Sequence, residues 1–201
     1  MKSLLVLVTI LAILFLLIIL LLMRRICVLN KKIKYVDEAN MWHKLAVTDD
    51  LTGVYNRNAY NLYITEIKKR TKKSLAGIIL FDIDNFKIIN DTKGHLEGDT
   101  VLKKTARLLA EVFGGKEYRV FRIGGDEFAI LTENADEIDI LDRLNLLNKK
   151  LSAKGYSRLS KGYAFFTDSP ESAFESADEM LYSDKMSKKF RNAFCKHMEA
   201  L

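Results

Sequence analysis

The hydrophobic pattern divides the chain into an unbroken apolar run and a region of short alternating runs. From Leu4 to Met23 every residue except Thr9 is apolar and none is charged. A helix of about 20 such residues spans about 30 Å, the hydrocarbon thickness of a bilayer. The pattern therefore predicts a transmembrane helix over 4–23. A cleaved secretory leader has a shorter apolar region, roughly 7–15 residues, and a small-residue cleavage site. Here the run continues directly into Arg24, Arg25, Ile26 and Cys27, so an uncleaved anchor is expected. Residues 24–47 hold neither Pro nor Gly and predict a helical linker. Ile26, Leu29, Ile33, Val36, Asn40 and His43 fall there at three-four spacing. That is less than three clean heptads, so a short parallel coiled coil and a single helix lying against the domain both remain open.

Beyond the linker, apolar positions predict a folded domain over 48–190 and a tail over 191–201. Asn58–Arg70 is helical in spacing through Ala59, Tyr60, Tyr63, Ile64 and Ile67. Leu75–Ile83 is nearly continuous in apolar residues and runs into Asp82 and Asp84, the mark of a buried central strand. Thr100–Phe113 is again helical. Tyr118–Ile123 and Glu127–Thr132 are strand-like runs joined by Gly124-Gly125-Asp126, which predicts a tight hairpin. Ala135–Lys154 predicts a helix, Arg158–Phe166 a strand and Glu171–Lys189 a last helix. The order is that of an α+β fold of the split βαββαβ (ferredoxin-like, palm-type) kind: an antiparallel sheet with helices on one face, preceded by one N-terminal transmembrane helix.

Charge changes the picture in one respect. The net charge is +6, and Lys2, Arg24, Arg25, Lys31, Lys32 and Lys34 account for it; the remaining 26 basic residues balance 26 acidic ones. A balanced domain does not carry the basic footprint of nucleic-acid binding, so no nucleic-acid partner is expected. Positive charge concentrated after the apolar run places the domain on the cytoplasmic side of the inner (cytoplasmic) membrane, single-pass, with the lipid bilayer as a partner of the helix. Two cysteines in 201 residues exclude a disulfide scaffold, and Cys27 reads as a reduced thiol.

The candidate chemistry is acidic. Asp82 lies toward the end of a buried strand, and Asp126 and Glu127 lie at a hairpin tip made of two glycines. In the βαββαβ order these elements are neighbours. Carboxylates brought together raise each other's pKa unless a cation sits between them. Mg²⁺ accepts carboxylate oxygens, keeps waters and takes further ligands from phosphate. Gly124 and Gly125 lack a Cβ and let phosphates approach the backbone. A plain hairpin with solvated acids is the alternative. Between the acids, Lys87 falls in a polar loop, and Asn90 and Asp99 bracket a Gly-containing turn. A carboxylate accepting two hydrogen bonds and an amide that both donates and accepts suit a purine nucleotide. Asp99 also reads as the N-cap of the next helix, and His95 as a hydrogen-bonding turn residue.

These motifs together resemble the GGDEF-domain diguanylate cyclases over about residues 44–189. Asp49-Asp50-Leu51-Thr52-Gly53-Val54-Tyr55-Asn56-Arg57 is similar to the family's opening D-x-L-T-G-x-x-N-R. Phe81 to Asp99 is similar to its F-D-I-D-x-F-K-x-I-N-D-x-x-G-H-x-x-G-D block. Gly124-Gly125-Asp126-Glu127-Phe128 is the name motif. Ser160-Lys161-Gly162-Tyr163-Ala164 and Ala177 to Lys185 resemble its S-x-G-x-A strand and its A-D-x-A-L-Y-x-A-K helix.

The resemblance implies that two GTP molecules, one per protomer of a homodimer, condense to cyclic di-GMP and two pyrophosphates. It implies Mg²⁺, with Mn²⁺ as the alternative, on Asp82, the backbone carbonyl of Ile83 and Asp126, with Asp126 and Glu127 as the catalytic acids. Asn90 and Asp99 would read guanine. Phe86, Lys87, Gly124, Gly125, Lys185 and Lys189 would lie near the triphosphate. The chain departs from the family in three places, one of them a short segment between Gly162 and Ala177. After the closing lysine the family continues x-x-G-R-N, where this chain has Lys188, Lys189 and Phe190, with Arg191-Asn192 two residues late. The R-x-x-D inhibitory slots hold Gly115, Lys116, Glu117 and Tyr118, so no product-inhibition site is expected. An unidentified sensory partner is implied by the lack of a recognisable input domain. The alternative function is a catalytically weak or inactive GGDEF domain that binds GTP and regulates a partner.

Overall fold

The computed structural model describes residues 18–26, 29–30, 32, 34, 46–69, 77–167 and 169–198, with the backbone alone for 192 and 194–198. The chain divides into two units, residues 1–45 and 46–201. In the first, residues 18–26, 29, 30, 32 and 34 are helical, and Ile26 and Leu29 are exposed. Residues 4–17 of the expected span and Ile33, Val36, Asn40 and His43 of the linker stripe lie outside the described residues. Among the described residues no helix is long and apolar enough to cross a membrane.

The second unit is built on a sheet of β1 (Gly77–Ile83), β2 (Tyr118–Arg122), β3 (Glu127–Thr132) and β4 (Leu159–Phe165), in the order β2-β3-β1-β4. All pairings are antiparallel. The helices are α1 (Arg57–Lys69), α2 (Phe86–Lys93), α3 (His95–Val112), α4 (Glu137–Lys154) and α5 (Pro170–Met198). β1 is central and buried along its whole length, which is why its sequence is a continuous apolar run rather than an alternation.

Side chains of a strand alternate between faces, and here both faces are covered. Ile79, Phe81, Ile83, Phe128 and Ile130 pack with Leu102, Leu109, Leu144 and Leu147 of α3 and α4. Ile78, Leu80, Ala129 and Leu131 pack with Ala59 of α1 and Ala173, Ala177 and Leu181 of α5. The expectation of helices on one face is therefore corrected. A βαββαβ core covers one face with its two crossover helices, and the flanking helices α1 and α5, outside that core, cover the other. Gly162 of β4 makes the second contact close. A Cβ there would lie 2.0 Å from the Ala177 carbonyl oxygen and 2.5 Å from the Leu181 nitrogen, so α5 lies with its backbone directly on the sheet.

A second correction concerns the stretch after β1. The polar loop expected around Lys87 is helix α2, with Asn85 in the left-handed region at its start (φ 61). None of the residues of α2 is fully buried, so it shows no apolar stripe for periodicity to reveal. Gly94 (φ 82) turns the chain into α3, which begins at His95. Asp99 is thus inside a helix and is not its N-cap. The last helix also runs on to Met198, past the expected Lys189.

Candidate active site

The acidic residues converge at one end of β1. Asp82 pairs in register with Glu127 on β3 and with Ser160 on β4. Directly opposed residues share a sheet face, so all three project toward the face that α5 covers. Asp126 lies one residue before Glu127, and its carbonyl accepts from the Ile83 amide at 3.4 Å. Asp82, Ile83 and Asp126, expected to act together, are thereby adjacent.

Asp82 is 6% exposed. Burial pushes its carboxyl above the ordinary carboxylate value; a hydrogen bond from Lys185 opposes the shift, and the charges of Asp126 and Asp84 add to it. The Lys185 Nζ donates to Asp82 Oδ2 at 2.6 Å. Register explains that contact: Gly162 seats α5 on the sheet at Ala177 and Leu181, and Lys185 follows one turn beyond Leu181. The lysine side chain is 43% exposed, so its head group reaches solvent as well as the carboxylate.

The hairpin carrying Asp126 and Glu127 is held from outside the sheet. Arg122 donates to both carboxylate oxygens of Asp49, at 3.1 and 3.2 Å, and to the Gly125 carbonyl at 2.7 and 3.1 Å. Asp49 also accepts from the Thr52 amide and hydroxyl. Burial raises the Asp49 carboxyl, but the hydrogen bonds from Thr52 and Arg122 outweigh it and hold the group below its ordinary range. Arg57 donates to the Ile123 carbonyl at 3.1 Å. The two glycines are not equivalent. A Cβ on Gly124 would lie 2.3 Å from Glu127 Oε2, so the Glu127 carboxylate folds back over that residue, while Gly125 has open space where a Cβ would stand. Sequence reasoning missed Asp49 and Arg122 as part of this site. The signal was present as an acid and a base in adjoining motifs, but nothing in their spacing reveals that they pair.

The helical hairpin of α2 and α3 carries the remaining candidates. Asn90 lies on α2 and Asp99 on α3, on either side of the Gly94 turn. Gly98 lets them approach: a Cβ there would meet Asn90 Oδ1 at 1.9 Å. The Asn90 amide therefore lies on α3 beside the residue that precedes Asp99. Lys87 is exposed on α2, and Phe86 packs its ring against the core, leaving its backbone at the start of that helix.

A diguanylate cyclase GGDEF domain model matches residues 46–191. The chain belongs to the GGDEF domain family. Diguanylate cyclase DgcN of Escherichia coli (strain K12) is 36% identical over 154 residues, covering 71% of this chain and 38% of the relative. An uncharacterized membrane protein of Staphylococcus aureus (strain USA300) is 29% identical over 184 residues, covering 80% of this chain and 51% of that one. The chain thus spans between about a third and about a half of these relatives' lengths. The coiled coil and GGDEF domain of DgcB from Caulobacter crescentus, solved in complex with c-di-GMP, superposes with a TM-score of 0.73 at 25% identity, over 83% of this chain and 95% of that one.

The departures of this GGDEF domain from its family's pattern have structural counterparts. Lys189, in the arginine slot, is exposed. Lys188, in the glycine slot, turns inward instead and donates to the Leu159 carbonyl at 2.6 Å. At the inhibitory slots, Tyr118 is buried in β2 with its hydroxyl on Asp139. Nearby Arg119 stacks 4.5 Å from the Tyr63 ring, and Arg122 belongs to the hairpin clamp.

Among the described residues no group of three or more His, Cys, Asp and Glu side chains is arranged to hold a metal ion. The expected donor set does not require one. It has two carboxylates and a main-chain carbonyl, and Mg²⁺ takes its remaining ligands from water and phosphate. A buried carboxylate that already faces an ammonium fits a site built for a cation.

Proposed function

We propose that this chain is a membrane-anchored diguanylate cyclase that acts as a homodimer. Each protomer binds one GTP, and the two condense to cyclic di-GMP and two pyrophosphates. In each step a ribose 3′-oxygen forms a bond to the α-phosphorus of the facing nucleotide, the bond from that phosphorus to the pyrophosphate breaks, and the hydroxyl proton passes to solvent water. The observation that carries this reading is the buried Asp82, beside Asp126 and paired in register with Glu127, under a lysine of α5.

Asp82, the Ile83 carbonyl and Asp126 would hold Mg²⁺, or Mn²⁺ in its place, which when bound supplies Lewis-acid activation of the attacking oxygen and offsets charge at phosphorus. Asp126 and Glu127 keep the hairpin tip negative on the side facing Asp82. The open face of Gly125 admits a phosphate to the backbone. Lys185, half in solvent, is placed to move between Asp82 and a phosphate oxygen, and Lys87 and Lys189 add exposed positive charge around it. Asp99 would accept from the N1–H and 2-amino group of guanine, and Asn90 would complete that contact. The apolar run at 4–23 and the Lys/Arg that follow it support anchoring with the domain in the cytoplasm, and the membrane-protein name of the staphylococcal relatives points the same way. The test is incubation of the 201-residue chain, in detergent, with GTP and Mg²⁺, followed by chromatographic separation of products. Cyclic di-GMP is expected; tight GTP binding without product would instead select the regulatory GTP-binding module.

A further inference from the structure

The family match stops at residue 191, but α5 continues to Met198. A glycine favours a helix end, and the glycine slot of the GGDEF pattern holds Lys188 here. The continuation changes sides. Up to Leu181 the apolar residues of α5 face the sheet, with Ala173, Ala177 and Leu181 buried. Phe190 comes nine residues after Leu181, about two and a half turns, and so stands on the opposite side of the helix. It is 75% exposed, and Tyr182 is 62% exposed. Tyr182, Met186 and Phe190 follow at intervals of four, and Phe194 and Met198 continue that interval in the sequence. Positions four apart are neighbours on a helix surface, so they form one apolar row on the half of α5 away from the sheet.

Positive charge edges this row. Lys189 and Arg191 are exposed on either side of Phe190. Lys196 returns to the Lys189 side, about two turns later. No acidic residue falls between Lys185 and Met198. An apolar row edged by Lys and Arg is the composition of a helix that lies in a lipid headgroup layer. A second copy fits the row less well, because pairing two such helices would set the basic residues of both chains along one seam. The linker of this chain fits no better, since Arg24, Arg25, Lys31, Lys32 and Lys34 give it the same sign.

We propose that residues 186–198 of α5 lie on an anionic lipid surface, with the apolar row at the boundary of headgroups and acyl chains and the basic residues among the lipid phosphates. The contact is separate from the expected span at 4–23, because it requires anionic lipid and the span does not. α5 also carries Lys185 over Asp82, so the contact orients the domain through the helix that covers its acids.

The test places a reporter on the row in the 201-residue chain. Phe190→Trp in a Trp42→Phe background leaves one indole, at a position exposed enough to accept it. Ala193→Trp, also at an exposed position, gives the same reading if the first variant does not fold. The chain is reconstituted into phosphatidylcholine vesicles with and without phosphatidylserine. With phosphatidylserine the emission is expected to move to the blue and to fall about twofold or more when the acyl chains are brominated near the headgroups, within the depth such helices reach. In phosphatidylcholine alone both changes are expected to be small. Arg191→Gln with Lys196→Gln is expected to lower the ratio of docked to free helix about thirtyfold, the scale for two basic residues near an anionic surface. Emission that is unquenched in both vesicles overturns the proposal. So does a blue shift without bromine quenching, since protein, from a second copy or another segment, would then cover the row. Equal quenching with and without phosphatidylserine overturns it too, because charge would play no part. A chain that floats only with phosphatidylserine-containing vesicles, its indole quenched, supports the contact and removes the anchor at 4–23, so the two readings fail separately.

Discussion

At the scale of single residues, the acids of this site have different costs. Asp82 is a core position: its neighbours in β1 are buried apolar side chains, and its carboxyl is pushed up by that burial. Asp126 sits at the hairpin tip, partly exposed, and packs little. Asp126→Ala is therefore expected to cost about 1 kcal/mol or less of stability, while cyclic di-GMP synthesis falls on the order of a hundredfold or more, as when a charge-stabilising group is removed from a transition state. A thermal melt beside an initial-rate assay checks both. Wild-type turnover in this variant removes Asp126 from the mechanism. Asp99 makes a different prediction. Adenine lacks both the N1–H and the 2-amino donor, so with ATP a partly buried carboxylate keeps unpaired acceptors. GTP is expected to be preferred over ATP by at least about a hundredfold, and Asp99→Ala to shrink that ratio mainly by losing GTP turnover. Equal kcat/KM for the two nucleotides in the wild type excludes the guanine contact.

At the scale of elements, the hairpin is positioned by a part of the chain far from it in sequence. The turn at 49–56 and α1 hold it through the Asp49–Arg122 pair and the Arg57–Ile123 contact. Asp49→Asn is expected to lower stability by about 1.5–3 kcal/mol, the range for hydrogen bonds to a charged group. The sign of its pH dependence follows from the depressed carboxyl. The stabilisation is complete above the ordinary aspartate value of 3.8 and is lost as pH falls through the lower folded-state value. Melting temperature against pH should therefore show an acid limb in the wild type that is flattened in Asp49→Asn; parallel curves would mean Asp49 does not titrate against Arg122. The same elements show what was legible beforehand. β1, the β2–β3 hairpin and α4 announced themselves by apolar runs, a Gly-Gly turn and an amphipathic stripe. The acids at the end of β1 were legible because a charge that ends a buried strand has no packing reason to be there. α2 was not legible, since a short helix resting on another helix needs no apolar stripe. Neither were the second covered face of the sheet and the inward turn of Lys188, because both depend on how flanking helices return to the sheet, which periodicity within one element does not encode.

At the scale of the whole molecule, the proposed reaction makes activity a property of two chains. In that reading each site would present one set of acids and one guanine contact, and the ribose oxygen of one nucleotide would have to reach the α-phosphorus of another. A single protomer holds half of the reacting groups, so the rate depends on how often two halves meet. If residues 1–36 serve to hold protomers together on a membrane, they act through effective concentration and not through the chemistry of the site. Deletion of residues 1–36 is then expected to leave the GGDEF fold intact, because the described core lies wholly within 46–198. GTP affinity of each protomer should be unchanged. Specific activity, however, should fall at low protein concentration and rise with concentration until dimers dominate, and fusion to an unrelated dimerising coiled coil should restore it at low concentration. Holding well-oriented partners together is worth several kcal/mol of barrier, by estimates of about 7–11 kcal/mol for ideal geometry, so even a loosely tethered pair should show a large concentration effect. A truncated chain whose specific activity is independent of concentration would show that the second half-site does not come from another copy. A truncated chain that stays inactive when dimerised by the fusion would assign the first 36 residues a role in orienting the two domains as well as in bringing them together.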